Sequence, residues 1–414
     1  VRVVIGIDDT DSHRGGCTTY VGYLLAKEVL GRWGPGAFRD FPRLVRLNPS
    51  VPFKTRGNAA VALDLEIPGG DVEELWQLAI DVVSSSARRE GKTDPGAAMA
   101  VGGVPERARI VYRMALTQVV SAGAAERAGV RVWGGRGRVG AVAAVGAALY
   151  ESTFELLAYR EGERAPIPAR LVALMELLTL PFTFHNLERS RVLIEPRGPD
   201  PVYYGMRGLT PHHLVYALRL LESWGFRPSG WIIYRTNQAA DAHVRHGVLF
   251  ERPLPYSYYR ARGIIVAARR VAAGHLVGAL DTGLEFVAYR HLGRLASELE
   301  RCAGCDVVLY GWLKPRRGSL YLYVERARVL GRYVRGRGEC PYCGGSLESA
   351  GRAGWRCRRC GTLFRTARVR WLYDASAARE ILPRPGEWRH LLKPPGVDPS
   401  LPALFGPRGV EWIR

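Results

Sequence analysis

The sequence predicts a multidomain protein built of α/β and α+β modules, a small β-barrel and a terminal metal-held ribbon. Three observations carry that expectation. A chain of 414 residues exceeds one ordinary core and suits several units of about 100–150 residues each. Its N-terminal part alternates strand-like apolar runs with amphipathic helical ones, as an α/β layer does. Near its end, four cysteines form two C-x-x-C pairs, Cys340/Cys343 and Cys357/Cys360.

In chain order, residues 1–130 form the first unit. Val3-Val4-Ile5-Gly6-Ile7 reads as a buried strand delivering Asp8, Asp9 and Asp11 past its end. The turn Gly15-Gly16-Cys17-Thr18-Thr19 opens a helix with Val21, Leu24, Leu25 and Val29 on one face and Gly31 as its stop. Strand, loop and strand follow between Leu44 and Ile67, with the polar, Pro-rich loop 48–58 carrying Lys54 and Arg56. A helix is expected from Asp71 to Arg89. Residues 131–257 read as an α+β module, with helices at 142–159, 168–180 and 211–226 and strands near 191–194 and 231–235. Its loops are expected to hold Pro201–Gly208 and Tyr234–Gln238. Residues 258–332 show three short strands, a helix at 291–301 and two more strands, the order of an OB-fold barrel. Residues 333–368 make the ribbon, and 369–414 an extension.

With 59 Lys plus Arg against 39 Asp plus Glu, the formal net charge of +20 makes a polyanion the expected partner. Lysine occurs only at Lys27, Lys54, Lys92, Lys314 and Lys393. Nearly all the positive charge is therefore guanidinium, which grips phosphate bidentately and stacks on bases. Arg269, Arg270, Arg290, Lys314, Arg316 and Arg317 alternate with Tyr289, Tyr310, Tyr321 and Tyr323 in the barrel, a pattern suited to an oligonucleotide groove. The cysteines do not form a secreted disulfide framework, no apolar stretch reaches the ~18 residues a membrane helix needs, and no signal segment opens the chain. A soluble cytoplasmic protein with no membrane partner is expected.

Cys340, Cys343, Cys357 and Cys360 have the spacing of a structural four-thiolate Zn2+ site, closed to water and surrounded by Arg335, Arg337, Arg352, Arg356, Arg358, Arg359 and Arg365. Cys302 and Cys305 lack a second pair and read as helix-end packing. Asp8, Asp9 and Asp11 repel one another unless a divalent cation such as Mg2+ neutralises them. Beside them Gly15 and Gly16 let the backbone approach a phosphate, and Thr18 and Thr19 stand at a helix N-terminus that attracts anions. No lysine precedes the threonines, so this is not the usual phosphate loop; Lys54 and Arg56 would supply the charge. Asp241 with Tyr203, Tyr204 and Tyr234 could take an organic cation. The histidines His185, His212, His213 and His243 have no metal-ligand spacing. These residues leave a metal-dependent phosphoryl or nucleotidyl enzyme acting on RNA, a metal-dependent RNA nuclease and a non-catalytic RNA-binding scaffold as readings.

Gly6-Ile-Asp-Asp-Thr-Asp-Ser12, Gly16-Cys-Thr-Thr19, Arg46–Asn58, Gly135-Arg-Gly137, Tyr204-Gly-Met-Arg-Gly208 and Tyr234-Arg-Thr-Asn-Gln238 together resemble the archaeal isoleucine-tRNA 2-agmatinylcytidine synthetase family over essentially the whole chain. The resemblance implies an ATP-dependent enzyme joining agmatine to carbon 2 of the wobble cytidine through a phosphorylated cytosine, so that the anticodon reads AUA. It implies a kinase-like first domain and a ferredoxin-like second that presents the base, with the OB-fold and ribbon on the acceptor stem. Asp8, Asp9, Asp11, Thr18, Lys54 and Arg56 would be catalytic, and Thr18 a site of self-phosphorylation. ATP and Mg2+ would lie on Asp8, Asp9, Gly15, Gly16, Thr18 and Thr19, with Tyr203, Tyr204, Arg207 and Asp241 as agmatine candidates.

Overall fold

The computed structural model describes the chain except residues 163, 197, 246–252, 317, 337, 367–370 and 388–389. Arg317 and Arg337 of the expected basic surfaces lie outside the described residues, as does the expected boundary at 368/369. Two compact units form: 1–248 with 252–258 and 385–414, and 249–251 with 259–384.

The first unit contains, in order, β1 (Arg2–Asp8), α1 (Thr18–Trp33), β2 (Arg43–Arg46), β3 (Ala59–Glu66), α2 (Val72–Ser86), β4 (Gly96–Val101), α3 (Glu106–Thr117), α4 (Ala122–Glu126), β5 (Arg131–Gly134) and α5 (Gly137–Gly146). Then come β6 (Thr153–Tyr159), α6 (Ala169–Thr179), β7 (Thr183–Phe184), β8 (Leu187–Glu188), β9 (Arg191–Val192), β10 (Val202–Gly208), α7 (Pro211–Ser223), β11 (Gly230–Thr236) and α8 (Ala242–Arg245). Nine of these strands make one sheet in the order β5-β4-β1-β3-β2-β11-β6-β10-β7. Every neighbouring pair is antiparallel except β2 and β11, which meet in parallel over Arg43–Arg235 and Leu44–Thr236. The apolar run of β1 is explained by cover on both faces. Val3, Ile5 and Ile7 join the core that holds α1 and α2, while Val4 joins the core of α3 and α5.

The sheet runs across the expected boundary at 130/131, since β5 pairs with β4 and the strand order continues into β11. Three expectations require correction. The helix expected at 142–159 is α5 followed by β6; all seven residues of β6 are buried, and short apolar runs of this kind do not distinguish helix from strand. The supposed loops 201–208 and 234–238 are largely β10 and β11, because their tyrosines are core residues on buried strands. The extension 369–414 is not one piece, since 385–414 fold into the first unit. Helix α1 also runs past Gly31 and ends at Gly34, whose φ of 72° suits the stop.

The second unit is a closed five-stranded barrel of β12 (Tyr258–Arg270), β13 (Leu276–Leu280), β14 (Glu285–Ala288), β15 (Cys305–Arg316) and β16 (Ser319–Arg335), with α9 (Gly293–Glu300) between β14 and β15. The parallel β14–β16 pairing closes it. Three short strands, β17 (Leu347–Ser349), β18 (Trp355–Cys357) and β19 (Leu363–Phe364), form the ribbon, and β20 (Trp371–Asp374) and β21 (Arg379–Ile381) pair back onto β16. None of Tyr289, Tyr310, Tyr321 and Tyr323 fills the barrel interior. All are half-buried, and Lys314, Arg316 and Arg326 lie over the rings of Tyr323, Tyr321 and Tyr310 at 5.2, 5.7 and 4.6 Å. Among the described residues, no helix is long and apolar enough to cross a membrane.

Candidate active site

The acidic cluster lies where β1 ends. Asp8 is packed against α5 so closely that a Cβ on Gly140 would sit 1.8 Å from its Oδ2, and one on Gly137 would sit 2.6 Å from its carbonyl oxygen. Only glycine lets the helix reach the strand there. Burial pushes the Asp8 carboxyl well above its usual range, and the charges of Asp9 and Asp11 push it further. Asp9 has a positive φ of 57° and accepts from the Asp94 N–H at 3.1 Å. Its pKa rises to about 6, chiefly through burial, with the Asp94 hydrogen bond opposing. Two half-buried, mutually repelling carboxylates in one turn are the donor set a hard divalent cation favours.

Asp11 is held differently. Its Oδ1 accepts from Thr55 Oγ1 at 3.0 Å and its Oδ2 from Arg56 Nε at 2.8 Å. The remaining Arg56 nitrogens reach Asp200 and the Gly16 carbonyl, so one guanidinium ties the acidic turn, the glycine turn and the loop before β10 together. Lys54 donates to the Arg56 carbonyl at 2.7 Å. Gly15 and Gly16 form the expected tight turn, closed by Ser12 N–H to Gly15 O at 2.8 Å. Thr18 Oγ1 accepts from Thr10 N–H at 3.4 Å and lies 3.2 Å from Thr10 Oγ1, whereas the Thr19 carbonyl accepts from the Tyr234 hydroxyl at 2.6 Å.

Two pockets share Asp11. One, of about 370 Å³, is lined by the charged Asp8, Asp9, Lys54 and Arg136 and by the apolar Leu47, Val51 and Phe53. The second, about 510 Å³, is lined by Thr18, Arg56, Glu155, Asp200 and Arg207. Sequence reasoning missed Asp94, Arg136, Asp200 and Glu155. The Gly137/Gly140 spacing and the Asp94-Pro95-Gly96 turn were the available signals. A Cβ on Gly135 would land on Asp94, whose Oδ2 accepts from the Arg136 N–H at 2.8 Å.

Of the cation candidates, Arg207 alone lines the second pocket. Tyr203 and Tyr204 are core residues whose hydroxyls donate to the carbonyls of Ala165 and Phe226 at 3.2 and 3.1 Å. Tyr234 is likewise buried, and the Asp241 carboxylate accepts from the Lys393 N–H at 2.8 Å. These four do not converge on a cage: Tyr203, Tyr204 and Tyr234 are packed in the core, the first two beside a register shift in β10, and Asp241 lies beyond the end of β11.

Cys340, Cys343, Cys357 and Cys360 converge with all four Sγ atoms within 4.8 Å of one another. Cys340–Cys360 and Cys343–Cys357 are 3.6 and 3.4 Å apart, near the ~3.8 Å between sulfurs of a tetrahedron with ~2.3 Å zinc bonds. The Arg359 and Cys360 N–H groups donate to Cys357 Sγ, completing a thiolate-stabilising turn. The residues fit Zn2+. Cys302 and Cys305 are buried at the end of α9, where Cys305 N–H donates to Cys302 O at 3.0 Å.

Three family models match: the TiaS TCKD domain over residues 4–125, the TiaS FLD domain over 135–243, and the TiaS C-terminal zinc ribbon domain over 338–370. The isoleucine-tRNA 2-agmatinylcytidine synthetase TiaS of Pyrobaculum neutrophilum is 75% identical over 414 residues, covering 100% of both chains. The chain belongs to the isoleucine-tRNA 2-agmatinylcytidine synthetase family. Among solved TiaS structures, the complex with its isoleucine tRNA and ATP matches at 31% identity and TM-score 0.75, covering 95% of this chain and 96% of that one. The complex with the same tRNA, AMPCPP and agmatine matches at 27% identity and TM-score 0.73 over the same shares. The TiaS ribbon model spans the cysteine cluster, so the closed four-thiolate geometry is a family zinc ribbon.

Proposed function

We propose that the chain joins agmatine to carbon 2 of the wobble cytidine of an isoleucine tRNA at the expense of ATP. The observation that carries the proposal is the pair of pockets sharing Asp11, one with an apolar wall and phosphate-binding cations, the other open to Thr18 and Arg207. The first suits a nucleotide: its apolar wall covers a base, and Lys54 and Arg136 meet the phosphates. A Mg2+ ion on Asp8 and Asp9 would neutralise charge on the transferring group. Arg56 holds Asp11, the residue both pockets share, in line and would lend positive charge to the transferring group from the side of the second pocket. Transfer of the terminal phosphoryl of ATP to the cytosine carbonyl oxygen breaks its bond to the remaining nucleoside diphosphate, which departs, and turns the carbonyl oxygen into a leaving group. The neutral amine of agmatine then attacks carbon 2, loses a proton, and phosphate departs with the oxygen.

Thr18 is read as the site of self-phosphorylation. Its oxygen can accept from the Thr10 N–H, which leaves its own O–H available to a base. Agmatine is read as lying in the second pocket, where the carboxylates Glu155, Glu195 and Asp200 suit a dication; Arg207, the one agmatine candidate that lines this pocket, is itself a cation and would serve there by meeting an anionic group. Tyr203, Tyr204 and Asp241 would act there only by fixing β10 and the turn after β11. The kinase-like and ferredoxin-like labels apply to the two halves of the nine-stranded sheet, and the basic-aromatic barrel face and ribbon would hold the acceptor stem. A cytoplasmic location accompanies this reading.

The test is incubation of the full chain with ATP, agmatine and an unmodified isoleucine tRNA transcript carrying the wobble cytidine, followed by nucleoside mass spectrometry. An agmatine-cytidine adduct is expected. RNA cleavage without ATP would instead establish a nuclease.

A further inference from the structure

Residues 385–414 are stitched into the first unit. Ile233 N–H donates to Trp412 O at 2.7 Å, and the Trp412 ring meets Phe38 at 4.8 Å. Nearer the start of the segment, the Ala239 and Asp241 N–H groups donate to the carbonyls of His390 and Leu391 at 2.8 and 2.9 Å. Ala239 and Asp241 hold φ of 53° and 52°, a conformation that costs non-glycine residues roughly 1 kcal/mol or more each and persists where surroundings impose it. The bonds to the returning segment impose it here.

This docking brings the His390 ring to the second pocket. Its Nδ1 lies 3.0 Å from Arg207 Nη2 and 2.9 Å from Gln238 Oε1. One ring nitrogen cannot satisfy both, since a guanidinium only donates and an amide oxygen only accepts. Glu155 decides between them. Its buried carboxylate takes a hydrogen bond from Gln238 Nε2, which turns the amide oxygen towards His390. The opposite orientation would set that oxygen against the carboxylate. In the tautomer that donates from Nδ1 to Gln238 Oε1, Arg207 Nη2 cannot use the ring as its acceptor. Arg207 Nε meanwhile stays 3.5 Å from Glu155 Oε1, which fixes the guanidinium in place.

We propose that Glu155, Gln238 and His390 hold Arg207 so that its Nη2 receives an anionic oxygen in the pocket, and that the occupant is the phosphoryl group released in the reaction. The inference rests on the ligase reading above, since Thr18 and Arg56 line the same pocket. His390 is a positioning residue that acts through Arg207. Its place late in the chain, far from every motif of the first unit, explains why the sequence alone does not disclose it.

The test uses the full chain with His390→Leu, His390→Asn and Arg207→Gln. His390→Leu is expected to lower kcat for adduct formation on the order of 10- to 100-fold, as loss of a supporting hydrogen bond does, with KM for agmatine changed less than about twofold. His390→Asn, whose amide can donate to Gln238, is expected to recover activity to within about threefold of the parent. Titration calorimetry with inorganic phosphate is expected to show binding weakened at least about fivefold by both His390→Leu and Arg207→Gln. Equal damage from Leu and Asn, a loss confined to KM for agmatine, or phosphate binding indifferent to both residues would overturn the proposal. If the parent forms no adduct while phosphate binding still depends on His390 and Arg207, the anion site stands and the ligase reading falls.

Discussion

The acidic turn after β1 and the cysteine ribbon both gather groups that repel when ionised, yet they do so by opposite means. The ribbon draws four ligands from two turns of one short stretch, and backbone N–H groups of the same stretch support Cys357. The acidic turn takes its partners from remote parts of the chain: Thr55 and Arg56, the Asp94 backbone, the glycines of α5. The ribbon is closed, with every position a cysteine. The carboxylate site opens on two pockets and keeps Asp8 and Asp9 unsettled. A closed local site of this kind suits folding, and an open assembled one suits the chemistry proposed for it.

The largest effect that would sharpen this contrast is loss of Asp9. Asp9→Ala is expected to reduce ATP consumption and adduct formation by roughly 10³-fold or more, the scale lost when charge stabilisation of a phosphoryl transfer is removed. Retention of tRNA on a filter should change less than about twofold, because one carboxylate outside the basic face contributes little to phosphate contacts. Parallel loss of ATP turnover and tRNA retention would erase the distinction between the two regions.

The complementary break is Cys340→Ser with Cys343→Ser. Removing two thiolates forfeits most of the ~10–16 kcal/mol that a structural zinc site contributes, so the ribbon should unfold and release its metal. Affinity for tRNA is expected to fall on the order of tenfold or more as the ribbon's arginines lose their fixed positions. ATP hydrolysis measured without tRNA should remain within about twofold. Metal content by atomic emission and tRNA binding by filter retention read the two arms. Equal loss of both activities would tie the ribbon to the chemistry.

How much could be read in advance follows the same division. The ribbon was legible because zinc ligands recur at fixed short spacing. The barrel was legible because its strands and helix follow one another in order. Asp8, Asp9, Asp11 and Arg56 stand out by type and proximity, and the structure gathers them at the end of β1. Asp94, Asp200 and Glu155 did not, since single carboxylates on separate elements carry no pattern until the sheet aligns them. Tyr203 and Tyr204 misled because aromatic residues beside a glycine resemble a binding loop, whereas β10 turns both rings into the core. The helix expected at 142–159 failed for a related reason: Thr153–Tyr159 is buried at every position, and full burial erases the alternation that marks a strand.

The smallest effect concerns the electrostatic cost of the open site. Asp9 has an ordinary pKa of 3.8 and a folded value of about 6, so the unfolded chain gives up this proton at lower pH than the folded one. The folded state is thus destabilised progressively as pH rises from about 4 to about 6, with the full penalty present above that. Asp9 is only partly buried, and after discount for solvent screening the penalty is about 1–2 kcal/mol. Thermal unfolding of metal-free protein should show stability falling across that window. Asp9→Asn should flatten the fall, and millimolar Mg2+ should reverse it above pH 6 by pairing with the ionised carboxylates. The ribbon supplies the internal control, because its closed thiolate site should not respond to Mg2+. A pH profile that is unchanged by both Asp9→Asn and Mg2+ would mean that the acidic turn is already satisfied by its protein partners and has no cation to await.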